Sequence, residues 1–188
     1  MIKIVYNSPV ILNYTLLALI ALGLSIFTGG YTNELIFSVY RSSLTDPLTF
    51  VRLFTHVLGH ASFSHFAGNF TMILLLGPMV EERYGSRELI KMILFTAALT
   101  GALQMIFFPH HALLGASGIV FMLVLLSSAT NFRRGELPLT LIIAAVIYIG
   151  QEFVGGIVLA DNVSQFAHII GGICGGVFGL SRPGRKSR

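Results

Sequence analysis

The sequence has few charged residues: Asp, Glu, Lys and Arg make up 11% of its 188 residues, whereas 54% are hydrophobic. A soluble domain carries about 25% charged residues, so this chain has too few to cover a surface that faces water. The mean hydropathy of +0.81 points the same way. The composition therefore excludes an ordinary soluble domain and predicts a membrane protein.

Cysteines and basic clusters are also scarce. A single cysteine, Cys174, excludes an internal disulfide, and its place between glycines indicates packing. The net charge is +4, but no basic block is interleaved with aromatic residues, which argues against a nucleic-acid partner. Because no soluble domain, low-complexity tract or internal repeat stands out, we expect residues 1–188 to form a single membrane-embedded domain.

Long apolar runs are what the sequence has in abundance. A membrane-spanning helix needs roughly 20 mostly apolar residues. The sequence predicts an all-α, polytopic fold with six transmembrane helices in one bundle, at about 9–28, 62–80, 89–108, 113–130, 137–156 and 162–181.

A long outer loop, about residues 29–61, joins the first two spans. Its length predicts that it is functional or carries structure of its own, and its apolar content suggests that it lies partly in the membrane interface. Of the 12 Lys and Arg residues, the outer side holds Arg41 and Arg52, and the others lie on the side of the termini. Since basic residues prefer the cytoplasmic side, both termini are predicted to be cytoplasmic.

Four polar side chains stand out inside the spans, where such groups are costly and indicate function. They are His65, Asn69, Ser117 and His168. Asn69 follows His65 by four residues, so both lie on one helix face. Ser117 is six residues past His111, which marks the outer surface, so it lies roughly 9 Å deep, in the same outer layer as Asn69 and His168.

Glycine spacing suggests how two of these groups meet. Gly171 and Gly175 recur at the four-residue interval that lets helices approach closely. If this face of the sixth span packs on the fourth span near Gly115 and Gly118, the residues beside these glycines come together. Ser117 and His168 would then be within hydrogen-bond reach.

A serine beside a histidine is a nucleophile with its general base. Acyl transfer also needs donors for the developing oxyanion, which His65, the Asn69 amide and the Ser117 backbone N–H can supply. No acid obviously completes a triad, so a Ser117–His168 dyad is predicted.

Other interpretations of these residues stay open. Serine and glycine are common packing residues between membrane helices. His56 and His60, four residues apart, would suit a metal if that segment were helical, but no nearby cysteine or acid completes a site. The charged stretch 81–83 is interpreted as a solvated helix end.

Two other functions compete with catalysis. A transporter would use His65, Asn69 and His168 as a relay, but no acid lies in the middle of a span. A catalytically inactive scaffold would bind helices without needing both Ser117 and His168.

Residues from about 50 to 180 resemble the rhomboid family of intramembrane serine proteases. Four motifs carry the resemblance, in the order and on the spans expected: Phe54-Thr55-His56 continuing to His60, His65-x-x-x-Asn69, Gly115-Ala116-Ser117-Gly118, and Ala167-His168 followed by Gly171 and Gly175. Two positions depart from the family pattern. Val51 precedes Arg52 where members often have Trp, and Phe121 stands where a Tyr often stacks on the catalytic base.

The resemblance implies a compact six-helix fold in a bacterial inner membrane. It implies Ser117 as nucleophile and His168 as base, with His65, Asn69 and the Ser117 N–H around the oxyanion. Its implied partners are transmembrane protein substrates, cleaved near the outer ends of their helices, and membrane lipid. It implies no metal and no cofactor.

Overall fold

The computed structural model describes residues 3–128 and 162–181, together with residues 139, 142, 143 and 146. Within these residues the fold is helical, with one isolated β-bridge. We number the α-helices α1 (Pro9–Phe27), α2 (Tyr31–Leu35), α3 (Pro47–Thr55), α4 (Phe63–Tyr84), α5 (Ser86–Phe107), α6 (Ser117–Ser128) and α7 (Asn162–Ser181); a 3₁₀ turn, His56–Leu58, follows α3.

Three helices, α1, α4 and α5, are long and apolar enough to cross a membrane. Helix α6 and the Gln165–Ser181 part of α7 are apolar and shorter within the described residues. The first, second, third and sixth predicted spans therefore correspond to helices, with ends shifted by a few residues. The predicted fifth span, 137–156, lies outside the described residues except for four helical positions.

The fourth span begins later than predicted, at Ser117 instead of residue 113. Leu113 forms an antiparallel bridge with Val39, with both N···O distances 2.9 Å, and the Gly115 N–H donates to the His56 carbonyl at 2.9 Å. Gly115 has φ +129°, a conformation that favours glycine. The chain before Ser117 is thus extended and bent, so the helical path assumed between His111 and Ser117 was wrong.

The outer loop carries structure of its own, as predicted. Asp46 caps α3 by accepting a hydrogen bond from the Leu48 N–H at 3.0 Å. Arg52 lies buried beneath the loop, where its Nε donates to the Leu35 carbonyl at 2.9 Å. Its guanidinium also pairs with Asp46 at 3.2 Å and covers the Tyr40 ring. Arg52 therefore holds the loop together from inside.

The interpretation of residues 81–83 as a solvated helix end was wrong for Glu81, which is buried. Its carboxylate accepts hydrogen bonds from the backbone N–H groups of Val10 and Ile11 at 3.1 and 3.2 Å, and from the Ser86 hydroxyl at 2.7 Å. The first turn of a helix has N–H groups without helical acceptors. Glu81 supplies those acceptors to α1 and thereby fastens α1 to α4.

Helix α6 lies in the middle of the described helices. Its buried face includes Ile119, Met122, Leu123 and Leu126, all fully enclosed, and it packs against α4, α5 and α7. Consequently, side chains at the start of α6 can meet side chains from both α4 and α7.

Candidate active site

Ser117 is the first residue of α6 and is half-buried. The hydrogen bonds of the helix begin with the N–H groups of Ile119 and Val120, which both donate to the Ala116 carbonyl. The Ser117 and Gly118 N–H groups precede these and have no acceptor within the helix. The start of α6 thus presents a hydroxyl together with backbone donors.

His168 reaches α6 from the second turn of α7. Its imidazole stacks on the Phe121 ring, with centroids 4.2 Å apart and planes 14° apart. Phe121 follows Ser117 by four residues, so both lie on the same face of α6. The stacking therefore places the imidazole on the helix face that carries the hydroxyl.

Glycine contacts explain why α7 comes so close. A Cβ at Gly171 would collide with the backbone of Gly118, and a Cβ at Gly175 would collide with the backbone of Met122. The predicted packing of the sixth span on the fourth through Gly118 is present. Gly115 instead faces α4.

His65 and Asn69 approach the site from α4. A Cβ built at Gly115 would lie 2.9 Å from His65 Cε1 and 3.9 Å from Asn69 Nδ2, so the absence of a side chain there makes room for both. The residues predicted from three separate spans are thus gathered around the start of α6.

His60 belongs to this cluster, whereas the sequence suggested it as a weak metal ligand and as part of the motif that leads into the second span. Its Nε2 lies 3.1 Å from Asn69 Nδ2 and 3.4 Å from the Ala116 backbone N. Its Nδ1 lies 3.1 Å from the Leu58 carbonyl oxygen, which fits Nδ1 as the donor and Nε2 as the acceptor. His60 therefore joins the amide of Asn69 to the segment that precedes Ser117.

Burial keeps His60 and His56 neutral. It lowers the pKa of each imidazole to about 4, against the weaker opposing effect of hydrogen bonds to backbone carbonyls. A neutral His60 has a lone pair at Nε2 to accept from Asn69. His56 Nδ1 lies 3.1 Å from the Arg52 carbonyl oxygen, and His56 Nε2 lies 3.4 Å from the Thr100 hydroxyl. Both histidines thus connect the outer loop to the bundle.

The signal for these roles was a pair of histidines just before the polar start of α4. The segment is a 3₁₀ turn followed by a bend, so the helical spacing required for a shared metal ligand face is not present. Among the residues that the structure describes, no group of three His, Cys, Asp or Glu side chains is placed to hold a metal ion.

A family model of known proteins matches most of this chain. The family model for the rhomboid domain matches residues 47–182. The chain belongs to the rhomboid family. The relatives in this family are the intramembrane serine proteases that the four motifs resemble. The rhomboid domain has the fold of a polytopic membrane protein.

Two curated rhomboid proteases show the extent of the similarity. Rhomboid protease GluP of Bacillus subtilis is 29% identical over 165 residues, which cover 83% of this chain and 31% of the relative. Rhomboid protease GlpG of Haemophilus influenzae is 25% identical over 155 residues, 80% of each chain. The chain thus spans about a third of the first relative and most of the second.

Proposed function

We propose that this rhomboid chain is an endopeptidase that cleaves membrane proteins in or near the outer ends of their transmembrane helices, using Ser117 and His168 as a dyad. The observation that carries the proposal is the stacking of His168 on Phe121, one helical turn from Ser117. The names of the two relatives, both rhomboid proteases, support the same reaction class.

In the proposed reaction, Ser117 Oγ attacks the scissile carbonyl carbon while His168 takes the hydroxyl proton. The tetrahedral intermediate collapses as the C–N bond breaks, and His168 returns the proton to the leaving amine. Water, deprotonated by His168, then hydrolyses the ester, which releases the carboxyl product and restores the Ser117 hydroxyl.

The oxyanion is proposed to lie among donors from both α4 and α6. The Ser117 N–H is one, since it precedes the first hydrogen bond within the helix. The Asn69 amide and His65 are the others, because both pack against Gly115, two residues before the nucleophile. Fixed donors of this kind stabilise a developing negative charge without reorganisation.

The proposed arrangement in the membrane has six spans with both termini in the cytoplasm of a bacterial inner membrane. It puts the start of α6 in the outer half of the bilayer, where water can enter from outside.

Substrate is proposed to enter sideways between α4 and the fifth span and to unwind locally, since helical hydrogen bonds otherwise shield the scissile carbonyl. A disulfide locking these two spans together should abolish cleavage of a membrane substrate; unchanged cleavage would exclude entry there.

The activity is tested by reconstituting the protein in vesicles with a protein that has a single transmembrane helix. Wild type should cleave it, and Ser117→Ala and His168→Ala should each reduce the rate by at least about a thousandfold. Ser127→Ala is the matched control, since Ser127 lies on the same helix and donates to the Val124 carbonyl. Cleavage that persists in Ser117→Ala, or a solute flux that survives both dyad substitutions, would contradict the proposal.

A further inference from the structure

A groove of about 480 Å³ lies on the side of the bundle formed by α1, α3 and α5. Most of its walls are apolar. Representative residues are Leu17 on α1, Phe54 and Leu58 at the end of the outer loop, and Ile90 and Leu94 on α5.

The polar groups that line the groove already have partners. The Tyr14 hydroxyl donates to the Val57 carbonyl at 2.9 Å, and the Ser86 hydroxyl donates to Glu81 at 2.7 Å. The Asn13 amide oxygen accepts from the Tyr6 hydroxyl at 3.0 Å. A ligand in the groove is therefore offered mostly apolar surface.

The length of the groove matches one leaflet of a bilayer. Its lower end lies at Pro9 and Ser86, where α1 and α5 begin, and its walls extend to Leu17 and Leu94. Each wall covers nine residues, or eight steps along the helix, which is about 12 Å, and half of the hydrocarbon core is about 15 Å. Phe54 and Leu58 border the groove toward the outer loop. The groove is thus long enough for most of an acyl chain from the leaflet on the side of the N-terminus.

Positive charge lies at the lower end. Arg87 is exposed and follows the groove residue Ser86, and it shares a helix face with Leu94, two turns further along α5. Lys3 is exposed in the segment that the Tyr6–Asn13 hydrogen bond holds against α1. Arginine binds phosphate through paired N–H donors, and a helix that spans the membrane begins near the level of the lipid headgroups.

We propose that this groove binds an anionic phospholipid, with one acyl chain between α1 and α5 and the phosphate against Arg87. The apolar walls of the groove favour a hydrocarbon chain, and the groove extends only through the leaflet on the side of the N-terminus. Arg87 favours a headgroup with net negative charge over a zwitterionic one. This lipid would hold α1 to α5 below the outer loop. The proposal does not depend on proteolysis by this chain.

The chain has no tryptophan, so the fluorescence of a single introduced tryptophan comes from one known position. Leu94→Trp puts it in the groove. Leu75→Trp is the matched control, because Leu75 is exposed on α4 and lies nine residues from the end of that helix on the same side. Each variant is reconstituted in phosphatidylcholine vesicles with a minor fraction of brominated phosphatidylglycerol or brominated phosphatidylcholine, and fluorescence quenching is measured.

At Leu94→Trp, quenching should show about a fivefold preference for the anionic lipid, the selectivity expected of one arginine at a membrane surface. Arg87→Gln should remove the preference. Lys91→Gln should keep it, because Lys91 carries the same charge on the same helix but pairs with Glu88 at 2.6 Å. Leu75→Trp should be quenched equally by both lipids.

Three results would overturn the site. Equal quenching by both lipids at Leu94→Trp would mean that a neutral lipid or another apolar segment occupies the groove. An equal preference at Leu75→Trp would mean general enrichment of anionic lipid around a basic protein. A preference that survives Arg87→Gln would remove the headgroup contact. If Leu94→Trp does not fold, the same measurement is made with Leu17→Trp, which places the indole on the opposite wall of the groove.

Discussion

The imidazole of His168 lies parallel to the ring of Phe121, with the two centroids 4.2 Å apart. This contact joins α7 to α6 one turn beyond Ser117, and it sets which face of the imidazole is covered. A base that is held by stacking on one side has less freedom to turn away from the hydroxyl. We therefore assign Phe121 a positioning role in the proposed reaction.

Replacing Phe121 tests this role. An aromatic pair contributes about 0.5–1.5 kcal/mol, so Phe121→Leu should lower kcat by about two- to tenfold, while KM changes little because Phe121 does not bind substrate in this account. Phe121→Tyr should retain the wild-type kcat, since its ring preserves the stacking. An unchanged kcat in Phe121→Leu, or an equal loss in both variants, would argue against positioning by the ring.

The contact between α6 and α7 gives a second prediction. Gly171→Ala places a methyl group against the Gly118 backbone, which cannot move without separating the helices. We expect it to destabilise the protein by about 1–3 kcal/mol and to reduce cleavage. Gly176→Ala is the control on the same helix, because a Cβ there meets nothing within 4 Å. Thermal unfolding in detergent should separate the two variants; equal melting temperatures would contradict the packing.

Glu81 gives a third prediction, on stability. Glu81→Ala leaves the Val10 and Ile11 N–H groups and the Ser86 hydroxyl without their acceptor. Since hydrogen bonds to charged groups contribute about 1.5–3 kcal/mol each, the loss should be at least about 3 kcal/mol. The exposed neighbour Glu82 provides the control, and Glu82→Ala should change stability by no more than about 0.5 kcal/mol. Similar unfolding curves for the two variants would show that α1 does not depend on Glu81.

The fourth prediction concerns pH. Burial lowers the pKa of His60 to about 4 from an unfolded value of 6.5, so the unfolded chain binds more protons between these values. Stability should therefore be complete above about pH 6.5 and decrease as the pH falls toward 4. His60→Gln removes this group, so its melting temperature should fall less between pH 7 and pH 5 than that of wild type.

Part of the pH dependence of the melting temperature should remain in His60→Gln, because burial also lowers the pKa of His56 to about 4. His110→Gln removes an exposed histidine and serves as the control for histidine removal as such. A pH dependence that is identical in wild type and His60→Gln would mean that His60 does not titrate in this range.

The sequence predicted the first, second, third and sixth spans because long apolar runs bounded by glycine, proline and charge determine a membrane helix largely by themselves. The gathering of Ser117, His168, His65 and Asn69 also followed from local patterns, since a four-residue spacing defines a helix face and small residues define where helices approach. In both cases, the information lies within one helix or at one contact between two helices.

The missed features depend on contacts between distant parts of the chain. Helix α6 starts at Ser117 because Val39 and His56 bind the segment before it. Glu81 is buried because its partners are the first amides of α1, about 70 residues away. His60 contributes through Asn69 and the Ala116 N–H. No local periodicity reports such pairings.

The central claim is that Ser117 is a nucleophile activated by His168. The most direct measurement is reaction with a fluorophosphonate, followed by mass spectrometry of the modified peptide. The account predicts one phosphonylated serine, Ser117, in wild type and in Ser127→Ala, and no adduct in Ser117→Ala or His168→Ala. Modification of another serine in place of Ser117, or labelling of His168→Ala at the wild-type rate, would contradict it.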